Sequence, residues 1–239
     1  MNEKIKKLKE IIDGTDNLVF FGGAGVSTES GIPDFRSTDG LYSQKYDFPP
    51  ETIVSHTFFM KRNKDFFDFY KDKMMALDAK PNAAHYKLAE WEAQGKCRAV
   101  VTQNIDGLHQ MAGSKNVLEL HGSIHRNYCM RCGKFFDAAY VKNSEGAPKC
   151  DECGGLIKPD VVLYEEGLDE NVISKTIHYI SQADVLIIGG TSLVVYPAAG
   201  LIDYFKGSHL ILINKSATQR ESQADLVIND KIGEVFGQL

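Results

Sequence analysis

Four of the five cysteines in this 239-residue chain stand in two Cys-x-x-Cys pairs, Cys129 with Cys132 and Cys150 with Cys153, separated by 17 residues. Each pair forms a tight knuckle that presents two thiolates to one ion, and two knuckles complete a tetrahedral zinc site. With sulfur in all four positions no place is left for water, so a structural zinc is expected. A redox reading is weaker, because a thioredoxin-like motif needs one pair at a strand-helix junction. Cys97, the fifth, reads as a small core residue.

A second group of residues is suited to a nucleotide. The run Gly22-Gly23-Ala24-Gly25-Val26-Ser27-Thr28-Glu29-Ser30-Gly31 follows an apolar segment directly. Glycines there let the backbone turn sharply and approach a pyrophosphate, whose charge the amides of a helix N-terminus would stabilise. Thr28 stands where a third glycine of the dehydrogenase fingerprint belongs, and Gly31 and Pro33 cut the helix short. No acidic residue ends a second strand about 20 positions on, so hydride transfer fits poorly. The loop instead continues into Asp34, Phe35 and Arg36, a carboxylate, an aromatic face and a guanidinium beside the phosphate cradle.

Further along, Thr102-Gln103-Asn104-Ile105-Asp106-Gly107 places amides and a carboxylate after another apolar run, where they suit the hydroxyls and carboxamide of a nucleotide. A helix cap would explain one of these polar residues, not all. His121 follows Val117 to Leu120, and an imidazole is the natural general base near neutral pH. His125 is the competitor, nearer the cysteines; His56, His85, His109, His178 and His209 read as structural. Gly190, Thr191 and Ser192 after one run, and Asn214 after another, suit phosphate and ribose oxygens.

The elements that must carry these residues are short apolar runs at Leu18–Phe21, Ala99–Thr102, Val117–Leu120, Val161–Tyr164, Val185–Ile188, Leu210–Ile213 and Leu226–Ile228. They are continuous rather than alternating, as in parallel strands buried on both faces. Helical patterns such as 169–182 and 197–206 lie between them, so the chain reads as α/β and doubly wound. Two stretches break the alternation: a turn-rich loop followed by helices from 31 to about 80, and the cysteine-bearing segment 125–158. The expected division is a discontinuous sheet domain, 1–34, 81–124 and 159–239, carrying a helical module at 35–80 and a zinc ribbon at 125–158.

Composition narrows the function classes. With 27 Lys and Arg against 32 Asp and Glu the net charge is −5, which leaves no basic field for duplex binding. No nucleic-acid partner is expected. The first twelve residues are apolar at helical spacing rather than a signal peptide, and no run approaches the roughly 18 apolar residues of a membrane span. A cytoplasmic protein is expected, and nothing resembles the long apolar seam of an obligate dimer, so a monomer.

In this order the motifs resemble the sirtuins, NAD-dependent protein lysine deacylases, in their bacterial form. The matching segments are Gly-Ala-Gly-Val-Ser at 23–27, Gly-Ile-Pro-Asp-Phe-Arg at 31–36, Thr-Gln-Asn-Ile-Asp at 102–106, Leu-His-Gly at 120–122, the four cysteines, and Gly-Thr-Ser-Leu-Val-Val-Tyr-Pro at 190–197. The resemblance implies a Rossmann-like large domain with a smaller zinc-binding and helical lobe inserted. NAD and an acyl-lysine peptide would enter the cleft between them. Ala24, Gly25, Thr28, Asp34, Phe35 and Arg36 would contact NAD, Gln103 and Asn104 would order its ribose, and Ile105 and Asp106 would hold the carboxamide. Gly190, Thr191, Ser192 and Asn214 would take the phosphate and adenosine half, with Lys231 and Ile232 closing over the adenine.

The mechanism implied starts with the acyl oxygen attacking the nicotinamide ribose and displacing nicotinamide. His121 then serves as base on the ribose hydroxyls, giving free lysine and 2′-O-acyl-ADP-ribose, with Asn104 assisting. The peptide would lie as an added strand along 160–166 and 190–195, touching Val161, Leu163, Tyr164 and Val194. The family usually has Phe-Gly-Glu where this chain has Tyr164-Glu165-Glu166, which puts a carboxylate beside the peptide and favours basic flanking residues. The Tyr and Arg pair of members that remove acidic acyl groups is missing around Asp68 to Lys71, so acetyl is the expected substrate. Two alternatives remain at this point: a protein ADP-ribosyltransferase using the same cleft, and a non-catalytic nucleotide-binding zinc-ribbon module.

Overall fold

In the computed structural model, which describes residues 3–34 and 47–239, Leu18 and Phe20 turn to one face of a six-stranded sheet and Val19 and Phe21 to the other. The strands are β1 (Leu18–Gly22), β2 (Cys97–Thr102), β3 (Val117–Glu119), β7 (Val185–Gly189), β8 (His209–Ile213) and β9 (Leu226–Ile228). All pairings are parallel, in the order β3-β2-β1-β7-β8-β9. Helices Glu3–Asp13, Ala83–Ala93 and Ile232–Phe236 cover the face of Leu18 and Phe20; helix Glu170–Gln182 and the 3₁₀ segment Ala198–Tyr204 cover the other. Burial on both faces is why these strands read as unbroken apolar runs. Cys97 lies in this core, and burial pushes its thiol up to about 12.

Strand order reverses between β1 and β7: the chain winds outward from β1 on one side and from β7 on the other. That crevice, at the carboxyl ends of the strands, is where open α/β sheets hold ligands. Two open grooves, of about 470 and 540 Å3, lie elsewhere; both are lined by Gly14, Thr15 and Asp184, and neither touches a predicted site residue.

The run Val161–Tyr164 does not join the parallel sheet. Only its first residue is in a strand, β6 (Ile157–Val161), which pairs antiparallel with β4 (Gly122–Cys129); β5 (Phe135–Phe136) lies on the other side of β4. Val161 and Leu163 are apolar because they enter a second core, packed with Phe58, Phe59, Phe66, Phe67 and Tyr70 from the helical segment and Phe136, Val141 and Ile157 from the cysteine segment. Phe66 meets Phe59 and Phe67 edge to face at centroid distances of 5.0 and 5.2 Å, an arrangement favoured by the ring quadrupoles. Lys71 ties the two segments by donating to the carbonyls of Ser144 and Gly146. Its ammonium is thereby turned into the cysteine module.

Asn82 caps helix Ala83–Ala93 by accepting from Ala84 N, while its own N–H donates to His85 Nδ1 at 3.2 Å. With Nδ1 an acceptor, the single proton of neutral His85 sits on Nε2. His85 and His109 are fully buried, their rings 4.7 Å apart. Burial pushes His85 down to about 4 and His109 well below its ordinary value. The unfolded chain therefore binds protons that the folded one refuses. The contribution of these neutral rings to stability is complete above about pH 6.5 and is lost as pH falls toward 4, on the order of 3 kcal/mol from His85 alone. Urea denaturation from pH 7 to pH 4 with zinc in excess checks this; a flat profile contradicts it.

Candidate active site

The glycine loop leaves β1 without starting an α-helix. Two successive 3₁₀ turns, Ala24–Val26 and Thr28–Ser30, follow Gly22, so the expected helix N-terminus is replaced by tightly turned backbone. This loop lies directly on the loop after β7. Gly23 N donates to Gly189 O and Gly25 N to Gly190 O, at 3.2 and 2.8 Å. A Cβ on Gly25 would stand 2.8 Å from Gly190 Cα, and Gly190 takes φ +59. The glycines are required by the close approach of two backbones at the switch point.

Beside these loops the polar residues form two hydrogen-bonded groups. Ser27, 1% exposed, donates to Asp106 Oδ2 at 2.6 Å and accepts from Asn104 Nδ2 at 3.0 Å. The other oxygen of Asp106 accepts from Leu108 N, and Gln103 Nε2 donates to Thr191 Oγ1 at 3.1 Å, spanning β2 and β7. Ile105 leans toward the second core, its carbonyl accepting from Ile124 N. Ser27 therefore ties the glycine loop to residues nearly 80 positions further on in sequence. It sits within the glycine motif but was not among the predicted contacts, because its partners come from another strand.

His121 lies between β3 and β4. Its Nδ1 donates to the backbone carbonyl of Gln103 at 2.9 Å, which assigns the ring proton to Nδ1 and leaves Nε2 as the acceptor. Burial lowers its pKa, the bond to Gln103 partly opposing. The ring is thus neutral and basic at Nε2 at physiological pH. His125 is engaged differently. Its Nε2 donates to the carbonyl of Asp106 at 2.9 Å, and Gly107, at φ +73, leaves the room that ring occupies.

The remaining predicted residues are distributed around this centre. Thr28 donates to Gly25 O, Ser192 is exposed, and Asn214 follows β8 with its amide donating to Ser216 O. Asp34 ends the described part of the loop, and Phe35 and Arg36 lie outside the described residues. Lys231 is exposed at the start of helix Ile232–Phe236, whereas Ile232 is buried under the sheet against Gly189. Tyr164 and Val194 are exposed, and β6 is an outer strand of its sheet. Glu165, at φ +77, turns its carboxylate onto Thr57, accepting from N at 2.9 Å and Oγ1 at 2.7 Å. Its charge caps a helix of the small lobe.

The four cysteines converge as their spacing requires. Their sulfurs lie within 4.8 Å of one another, with Cys129 to Cys153 at 3.3 Å and Cys132 to Cys150 at 3.6 Å. A tetrahedron with zinc-sulfur bonds of about 2.3 Å has edges of about 3.8 Å. Arg131 N donates to Cys129 Sγ, and a Cβ on Gly155 would come within 2.7 Å of that sulfur. The donor set fits one closed zinc ion.

Residues 23–197 match the model of the Sir2 family. The chain is 66% identical over 237 residues to an NAD-dependent protein deacetylase of Clostridium acetobutylicum, covering 98% of this chain and 97% of that protein. It is 63% identical over 242 residues to one of Clostridium perfringens, covering 100% and 99%. Among solved structures it is similar to a Sir2 with deacetylated p53 peptide and 3′-O-acetyl ADP ribose, at 38% identity and a TM-score of 0.91 over 98% of this chain and 96% of that one. It is likewise similar to a Sir2 with p53 peptide and NAD+, at 38% identity and a TM-score of 0.88 over 100% and 97%.

Proposed function

The chain belongs to the Sir2 family and is an NAD-dependent protein deacetylase, and on that premise we propose how its own residues divide the work. The observation that carries the proposal is the bond from His121 Nδ1 to Gln103 O, which fixes the tautomer a general base needs. When bound, NAD supplies the ribose that accepts the acyl group and the nicotinamide that leaves. Gly25 and Gly190 let the two loops close backbone to backbone, with Ala24, Thr28, Asp34, Thr191 and Ser192 beside the NAD, and Asn214 and Lys231 toward its adenosine half. Gln103 and Asn104 orient the ribose, while Asp106 and Ile105 hold the carboxamide. His121 takes the proton of the ribose hydroxyl through Nε2, so that oxygen attacks the acyl carbon, the lysine amine leaves, and a water adds to the same carbon to complete the acetyl ester while the original acyl oxygen stays on the ribose.

The cleft lies between the lobe of the parallel sheet and a small lobe of the helical and cysteine segments, whose sheet and core reach past the expected bounds 125–158 to take in β4 from Gly122 and β6 and Leu163. The peptide adds to the outer edge of β6, beside Val161, Leu163, Tyr164 and Val194, where main-chain bonds tolerate varied sequences. Lys71 is engaged with Ser144 and Gly146, which supports a neutral acetyl group over an acidic one. Because Glu165 is engaged by Thr57, it gives little reason to expect selection for basic flanking residues. Zinc thiolates fit a reducing compartment, which supports a place in the cytoplasm.

Two measurements test this reading. Mass analysis of a reaction with NAD and acetyl-lysine peptide should give acetyl-ADP-ribose and unmodified lysine; a covalent ADP-ribose adduct would favour the transferase alternative. Gly190→Ala should weaken NAD binding, because its Cβ would lie 2.4 Å from Val26 N and 2.6 Å from Gly25 C, both backbone atoms that cannot swing away. Overpacking of this kind costs roughly 1–3 kcal/mol of folding energy, and the part of it that falls on the bound state lowers the affinity measured by calorimetry by up to about 150-fold. Unchanged affinity would remove the cradle from the account of binding.

A further inference from the structure

Only Leu120 and His121 separate the edge strand of the large sheet, β3, from the ribbon that enters the small lobe on β4. The Arg126 side chain crosses that junction. Arg126, on β4, donates from Nη1 to Glu119 Oε2 and from Nε to Asp160 Oδ2, both at 2.7 Å. Glu119 ends β3, and its other oxygen accepts from Gln110 Nε2 at 2.8 Å. Asp160 lies on β6, in register with Ser123.

This bridge stands where the pairing of β4 with β6 is irregular. The β4 to β6 register shifts between Ser123 and Asn127, so regular ladder bonds do not set the ribbon's angle there. Gly122 takes φ +76, and a Cβ on it would lie 1.9 Å from Asp160 O. His121 is held in the bend by Leu120 N to Thr102 O, Val162 N to His121 O, and its own Nδ1 to Gln103 O. We propose that Arg126 is a positioning residue for acyl transfer, its bridge between Glu119 and Asp160 fixing the angle at which the ribbon leaves the sheet and hence the placement of His121. The inference rests on His121 being the base.

Side chains of Arg126 and Asp160 are 39% and 43% exposed, so that pair adds little to stability, while Glu119, at 10% exposed, anchors the inner end of the bridge. The bridge therefore acts on geometry, where small displacements of a reacting group cost much in rate. Nicotinamide departs before the base acts, so the two steps separate the effects. In the full-length, zinc-loaded protein, Arg126→Gln and Glu119→Gln should each lower acetyl-ADP-ribose formation about tenfold. Exchange of labelled nicotinamide into NAD should stay within about twofold, because that step does not need the base. The double variant should be no slower than either single one, since both break one bridge. Arg126→Lys should recover part of the rate.

Equal loss of both steps in step with a fall in Tm would overturn the inference, leaving Arg126 a structural residue. Unchanged acyl transfer in Arg126→Gln, with the step lost in His121→Ala run alongside, would overturn the inference alone. Unchanged acyl transfer in His121→Ala would overturn the general-base reading on which it rests.

Discussion

His121→Ala is expected to lower acetyl-ADP-ribose formation by roughly 10²- to 10⁴-fold, the range for removing a positioned general base, while nicotinamide exchange persists. The split follows from where the proton is needed. In the proposed division of work, glycosidic cleavage is driven by the acyl oxygen and the leaving nicotinamide, whereas the ribose hydroxyl becomes a nucleophile only when Nε2 of His121 accepts its proton. Burial lowers the pKa of His121, so the ring stays neutral below the ordinary histidine value. Acyl transfer in the wild type should therefore hold through pH 6.5 and fall only as pH drops through that depressed value. His121→Ala should lack this acid limb. Retention of acyl transfer within about twofold would place the base elsewhere; His125 is a poor substitute, because its Nε2 is committed to the carbonyl of Asp106.

How much of this was legible in the sequence depends on whether a residue's partners were local. Six of the seven apolar runs are strands of the parallel sheet, because burial on both faces leaves an unbroken apolar signature. Val161–Tyr164 has the same composition for another reason: Val161 and Leu163 fill the aromatic core of the small lobe, a demand made by helices about a hundred residues upstream. The cysteine cluster was readable because a knuckle is set by spacing within one segment. Ser27 and His125 were not, since their roles exist only across strands, through Asp106. Glu165 shows the limit from the other side. Its carboxylate was expected beside a peptide, and the left-handed backbone at that position, φ +77, turns it onto Thr57 instead.

Removing zinc should stop catalysis without taking any group from the reacting atoms. Four sulfurs close the coordination shell, so the metal has no position for water or substrate. Its influence runs through the protein: Cys129 ends β4, the strand that begins at Gly122 beside His121, and Cys129 and Cys150 are part of the core that holds Phe136, Val141 and Ile157. Structural zinc contributes about 10–16 kcal/mol in small metal-folded domains, as much as the roughly 5–15 kcal/mol that holds a whole domain folded. A chelator, or Cys150→Ser, is therefore expected to unfold the zinc module, expose the Phe58 to Tyr70 cluster to a hydrophobic dye and abolish acyl transfer. The large parallel sheet, whose two cores contain no cysteine but Cys97, should keep its far-ultraviolet signal. Cobalt(II) accepts the same tetrahedral sulfur set, so the cobalt-substituted enzyme should match the zinc enzyme in kcat within about twofold. A tenfold difference between the two metals would mean that the ion takes part in the chemistry, and the closed-shell argument would fail with it.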